Sequence, residues 1–371
     1  MNEVLNVQNG PSINVIKILT TAGPELRRPR HTYKKKEVFT PRFFKNGNVM
    51  YTCNIFTLNV PVDNSMATID LAEHVNGSVF KITYNGVNFI APSLFSVGCM
   101  GTAAVFDFQR NETAGQRKIT EIGNRDVPMG DEISDIAADD KSVMITTKMM
   151  SESIPGSLSK DEVLQSGDII PGRINMNTGF ISDITHTKKI EIIDNGVVDY
   201  HVRINIPAKY SHGIVEVLSG TFLNDIMIHL VKNKNKWALL DDKTYNTNNS
   251  TGFVVAKSPD TAMGVCLLDW PRGAVVFPPV FGFRKFKNVN KWSVSQQFGS
   301  MLNTSVKIPG GEYSWRVRMF FGPIWQVQEN INSIKTVPHG KDYLYLYHED
   351  SMKFRQQKLN KKNRHEYGYD S

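Results

Sequence analysis

Residues 46–335 predict an all-β fold, a large antiparallel β-sandwich. Two Asn-Gly dipeptides each sit between alternating apolar runs, the signal of a tight hairpin. Short apolar stretches recur between Gly, Pro, Asn and Asp, and few segments hold a 3.6-residue apolar period. No unit repeats at a fixed spacing, which argues against a propeller or solenoid.

Taken in order, VFKITY and VNFIA flank Asn85-Gly86, and KIEIID and VVDYHVRINIP flank Asn195-Gly196; each pair predicts a type I′ hairpin. Further strands are expected over 142–149, 214–218, 226–231, 252–256, 263–268, 274–277 and 291–297. In 313–321, Tyr313, Trp315, Val317, Met319 and Phe321 share one parity, and Ser314, Arg316 and Arg318 share the other. That is a strand with an aromatic core face and two arginines on its opposite face. Helical spacing is confined to 159–165, one or two turns, and to 324–334. The acidic stretch 125–160 lacks the carboxylate spacing of an EF-hand and reads as a solvated loop leading into the next strand.

The 371 residues carry a formal net charge of +7, but unevenly. Residues 27–45 hold +7 and residues 353–365 hold +6, so the rest of the chain sums to −6. The expected organisation is therefore a basic N-terminal arm over 1–45, a sandwich over 46–335 and a basic tail over 336–371, both arms expected to be flexible. Such arms attract polyanions or a partner protein in a salt-sensitive way without recognising a sequence. No apolar run approaches the roughly 20 residues that cross a bilayer, and the N-terminus lacks the pattern of a signal peptide. Cys53, Cys99 and Cys266 form neither a metal spacing nor a disulfide framework and are expected as buried thiols. The expected compartment is cytoplasmic. Sequons at Asn76, Asn111, Asn248, Asn249 and Asn303 keep secretion open as the alternative.

The chemistry-bearing residues lie on strands. In 199–206, Asp199, His201, Arg203 and Asn205 share one face, and Tyr200, Val202, Ile204 and Ile206 the other. A histidine between an acid and an arginine is a candidate general acid or base; the same pattern also marks the wet face of a half-exposed strand. Glu216, between valines in IVEVLSG, is either an acid/base group or a carboxylate held in a structural hydrogen bond by a neighbouring arginine. Arg316 and Arg318, about 7 Å apart along one face, suit carboxylates or hydroxyl-rich rings, or simply line a solvated edge. Histidines 186, 201, 212 and 229 are too dispersed to make a zinc set, and no GxGxxG, Walker loop, GxSxG, HExxH or CxxC occurs. Neither a metal nor a cofactor is expected.

Six segments together resemble an uncharacterised branch of the galactose mutarotase-like β-super-sandwich superfamily. They are VFDFQRNETAG, KIEIIDNGVVDYHVRINIP, IVEVLSGTFL, DTAMGVCLLD, VNKWSVSQQF and PGGEYSWRVRMFFGPIWQV. The resemblance implies a carbohydrate ligand on the concave face of one sheet, with Asn111 as a binding residue from the Asn111-Glu112-Thr113-Ala114-Gly115 stretch. That stretch lacks the proline of the family's Asn-Pro-Thr signature, and the mutarotases' His-Tyr-Phe-Asn-Leu stretch is absent. An intact mutarotase mechanism is therefore not carried over. Two readings follow. One is a protein acting on a sugar or acidic glycan, as an epimerase-like isomerase, polysaccharide lyase or glycoside hydrolase. His201 and Glu216 would be its proton-transfer groups, with Asp199, Arg203, Asn111, Arg316 and Arg318 binding the substrate. The other is a non-catalytic binding or structural protein on a degenerate sugar-enzyme scaffold, docked through its arms.

Overall fold

The computed structural model describes residues 31–32, 35–46, 49–90, 100–107, 117–121, 133–158, 161–163, 167, 169–170, 172–223, 225–226, 228–233, 236–240, 246–247, 250–273, 275–286, 289–299 and 305–334. The main sheet is antiparallel at every recorded pairing. Its spatial order is Lys236–Leu239, Ile228–Asn233, Ser250–Ser258, Thr261–Asp269, Gly311–Gly322, Val197–Ile206, Ile181–Asp194, Ser142–Ser151, Arg117–Thr120, Gly101–Phe106, His212–Leu223, Val289–Gly299, Val280–Lys285 and Asn246–Thr247. Ile133–Ala138 and His31–Thr32 branch from it beside Ser142–Ser151. A five-stranded sheet, Thr40–Asn46, Val49–Val62, Ser65–Ala72, Ser78–Tyr84 and Val87–Asn88, shares its core.

The main sheet is a sandwich because it curls back on itself. Aromatics near one end, Phe283 and Trp292, pack on His229 and Phe253 near the other. The Trp315 indole N–H donates to Gln296 Oε1 across the interior, which gives a buried Trp the partner it needs. Alternation sets the two faces of each strand: Val198, Tyr200, Val202, Ile204 and Ile206 are all fully buried, while Arg203 and Asn205 are exposed. Helix Ile324–Ser333 covers the outer face of Ser250–Ser258 and Thr261–Asp269 with Val327 and Ile331. Gly252 and Gly264 admit it, since a Cβ there would lie 2.6 and 2.3 Å from those side chains. Among the described residues no helix is long and apolar enough to cross a membrane. Cys53 and Cys266 are buried thiols, the latter pushed up to about 12 by burial; Cys99 lies outside the described residues.

Several local expectations change. Asn85 (φ 47°) and Gly86 (φ 73°) form the expected primed turn. At Asn195-Gly196 only the glycine takes positive φ (65°), and the ladder shifts by one residue between Ile192 and Asp194. That is a bulged turn rather than type I′. The main-chain N–H of Gly196 donates to Pro61 O, and Asn195 pairs with Asp63, so tertiary contacts fix the turn. The expected helix at 159–165 is replaced at Glu162–Val163 by a strand paired with Ile169–Ile170. Of the strand expected at 274–277, the described part holds only isolated bridges at Val276. Within the acidic stretch, Ile133–Ala138 is a strand because Ile136, Ala137 and Ala138 are buried. The fold also takes in residues that charge assigned to the N-terminal arm. Val38 and Phe39 are buried and Thr40–Asn46 pairs with Val49–Val62. The rest of that arm, apart from 31–32 and 35–37, and the basic tail lie outside the described residues.

Candidate functional site

Register brings the predicted residues onto one face. Along the outer surface of Ile181–Asp194, Val197–Ile206 and Gly311–Gly322, cross-strand partners form three rungs. The first is Glu191–Asp199–Arg318, the second Lys189–His201–Arg316, and the third Thr187–Arg203–Ser314. Asp269, at the end of Thr261–Asp269, extends the second rung beside Arg316. A cleft of about 500 Å³ opens over the second and third rungs, lined by Thr187, Lys189, His201, Arg203, Asp269, Ser314 and Arg316, with Met144 at its side.

The first rung is a closed ion pair. Asp199 is 2% exposed, and Arg318 grips both its oxygens, Nε to Oδ1 at 2.6 Å and Nη2 to Oδ2 at 2.9 Å. This bidentate geometry offsets the desolvation of the carboxylate and raises the arginine's pKa. The second rung is different. His201 has its pKa lowered, first by burial and then by Lys189 and Arg316, against the opposing pull of Asp199 and Glu191. Its imidazole is therefore neutral at neutral pH and able to accept a proton. Lys189 is paired with Glu191 and Arg203 with Glu312, the latter an exposed contact at 3.7 Å. For Arg316 no ion pair is recorded among the described residues. Among the described residues the cleft thus presents cations, hydroxyls and one neutral histidine, with Asp269 as its single carboxylate.

Glu216 does not join this group. It lies on His212–Leu223, separated from Val197–Ile206 by four strands of the sheet order. Both its oxygens meet Lys291 Nζ, at 3.2 and 3.0 Å. Burial alone would raise its pKa, but Lys291, Lys118 and Arg284 outweigh it and hold the carboxyl at about 2. The carboxylate is thus held in a structural contact, by a lysine where an arginine was expected. Asn111 lies outside the described residues. Sequence reasoning passed over Thr187, Lys189, Asp269 and Ser314. The signal for the first two was the second hairpin itself, since counting back across its turn places them beside His201 and Arg203, provided the bulge is included.

No family model matches the chain, and no curated protein sequence matches it. Solved structures do. The Slr1438 protein from Synechocystis sp. PCC 6803 is similar at 10% identity with a TM-score of 0.41, over 72% of this chain and 96% of that one. The GalM/aldose epimerase homologue from C. elegans is similar at 10% identity and a TM-score of 0.33, over 73% and 99%. Heparan sulfate lyase HepC from Pedobacter heparinus shows 7% identity and a TM-score of 0.31, over 73% of this chain and 35% of its own.

Proposed function

We propose that this chain binds a sugar or acidic glycan in the cleft above the Lys189–His201–Arg316 rung, with His201 as its proton-transfer group. One observation carries the reading: a neutral imidazole stands between two cations, with a carboxylate, Asp269, in the same cleft. Guanidinium and ammonium groups suit an anionic sugar substituent, and Thr187 and Ser314 suit ring hydroxyls. Asp269 takes the position of second acid/base group that Glu216 was expected to fill. The test is a panel of acidic and neutral oligosaccharides assayed for binding and turnover by the full chain. Arg316→Ala is expected to weaken binding of acidic members at least about tenfold, the loss of a charge-assisted contact. His201→Ala is expected to abolish turnover while binding persists. Binding that ignores Arg316→Ala, or turnover that survives His201→Ala, contradicts these assignments.

A second reading, a non-catalytic binding protein on the same scaffold, is favoured by the commitment of Asp199 to Arg318 and of Glu216 to Lys291. It predicts glycan binding through the same cleft with no product formed from any bound member of the panel.

A further inference from the structure

Beneath the cleft the core holds a polar cluster that the proposed site does not use. Glu121, His186, Lys188, Thr102 and Tyr200 are each 1% exposed or less. Thr102 Oγ1 donates to the Val217 carbonyl at 2.9 Å, a carbonyl at a bulge in its strand, so the hydroxyl's single proton is committed. His186 Nε2, 3.1 Å from the same oxygen, is then the donor of that contact. Its other nitrogen, Nδ1, lies 3.2 Å from Glu121 Oε2. With a neutral imidazole facing an ionised carboxylate, that contact sets a lone pair against an oxygen with no proton between them.

Two effects oppose each other there. A proton on Nδ1 would complete a charge-assisted hydrogen bond. It would also add positive charge to a dry interior where Lys188 Nζ already lies 3.4 Å from the same Glu121 oxygen. Of the other strands packed on the cluster, Thr147 faces His186 in register and Tyr200 brings a hydroxyl; neither brings a charge. Burial prevails and holds His186 down at about 4, with Glu121 pulling up and Lys188 pushing further down.

We propose that the Glu121–His186 contact is a proton switch in the core that repositions the cleft wall. Neutral, the two side chains repel; protonated, they close into a hydrogen bond. His186 and Lys188 alternate along one strand with Thr187 and Lys189 of the cleft, and Tyr200 sits between Asp199 and His201. A shift of the inner side chains is therefore carried to the outer face. Only this last consequence rests on the cleft as the ligand site, and the switch has readouts that need no ligand.

Imidazole nitrogen NMR of the full chain tests it, with His186→Gln identifying the His186 signal among the nine histidines. The expected result is a protonated Nε2 and a bare Nδ1 from pH 7 to 5, with Nδ1 gaining its proton near pH 4. A second step should appear in the His201 signal at the same pH and vanish in His186→Gln. The unfolded chain binds that proton near 6.5 and the folded chain only near 4, so stability is lost as pH falls through this window. The wild-type urea midpoint should drop by roughly 1 M more than that of His186→Gln. An Nδ1-protonated tautomer at pH 7, a His186 that titrates near 6.5, or equal pH slopes in the two proteins overturns the proposal. If His186→Gln does not fold, the wild-type spectrum decides: one imidazole of the stated tautomer must remain neutral at pH 5. If no glycan binds at any pH, the reading of the cleft fails while these measurements still judge the switch.

Discussion

Asp199 and Arg203 stand four residues apart on one face, yet their ion pairs differ in kind. Asp199 is buried and held by both arms of Arg318, whereas Arg203 and Glu312 are 56% and 60% exposed at 3.7 Å. Asp199→Ala strands a guanidinium against a partly dry surface and should cost about 2–4 kcal/mol; Arg203→Ala should cost no more than about 0.5 kcal/mol. Urea denaturation of the two variants checks the contrast, and equal losses would contradict it. Glu216 is the second residue-scale case. Its folded pKa, about 2, lies below the unfolded value of 4.5, so its stabilisation is full above 4.5 and lost as pH falls toward 2. Glu216→Gln should lower stability at pH 7 by about 2–3 kcal/mol, with the difference gone by pH 2; a difference that persists there would rule out the lysine contact as its cause. Parity in the sequence showed that Asp199, His201 and Arg203 share a face. It could not show that Arg318 would close on Asp199 rather than on a ligand, because that contact joins strands 119 residues apart.

The strand pair that builds the cleft depends on one bulge. A plain two-residue turn at Asn195-Gly196 would pair Asp194 with Val197 and carry on without a shift, setting buried Ile190 opposite His201. The extra residue at Ile193 moves the register so that Ile190 meets Tyr200 in the core and Lys189 meets His201 outside. Hairpin and strands were legible from the Asn-Gly dipeptide. The bulge was not, because it answers to the Pro61–Asp63 and Phe321 backbone that the turn docks on. The two Asn-Gly turns therefore respond differently to substitution. At Gly86 a Cβ meets nothing within 4 Å, so Gly86→Ala should cost about 1 kcal/mol for positive φ alone. At Gly196 a Cβ would stand 2.7 Å from the Phe321 carbonyl oxygen, so Gly196→Ala should cost at least about 2–3 kcal/mol. Thermal unfolding compares them directly; a milder effect at Gly196 would contradict the docking. The short strand at Glu162–Val163 was misread as helix because its few apolar positions fit either period.

Over the whole molecule, one long antiparallel sheet folds back so that two layers share a core, and a smaller sheet closes it. Gln296 ties the layers: its Nε2 donates to the Pro271 and Phe277 carbonyls while its Oε1 accepts from Trp315. The all-β class and most strands were readable from turn residues and alternation. The curl was not, since contacts such as Phe253 with Phe283 and Trp292 join segments with no local signal of their meeting. That curl leaves the outer face of the Ile181–Asp194, Val197–Ile206 and Gly311–Gly322 strands open, and places Glu216 four strands away from it in the sheet. The central claim is that this open face, and not the Glu216 surface, holds the ligand. A crystal structure of the chain soaked with an acidic oligosaccharide that binds in solution tests it most directly. The expected result is sugar density in the cleft with an acidic group within hydrogen-bonding distance of Arg316 and a ring oxygen beside His201. Density seated at Glu216 and Lys291, with the cleft holding only solvent, would contradict it.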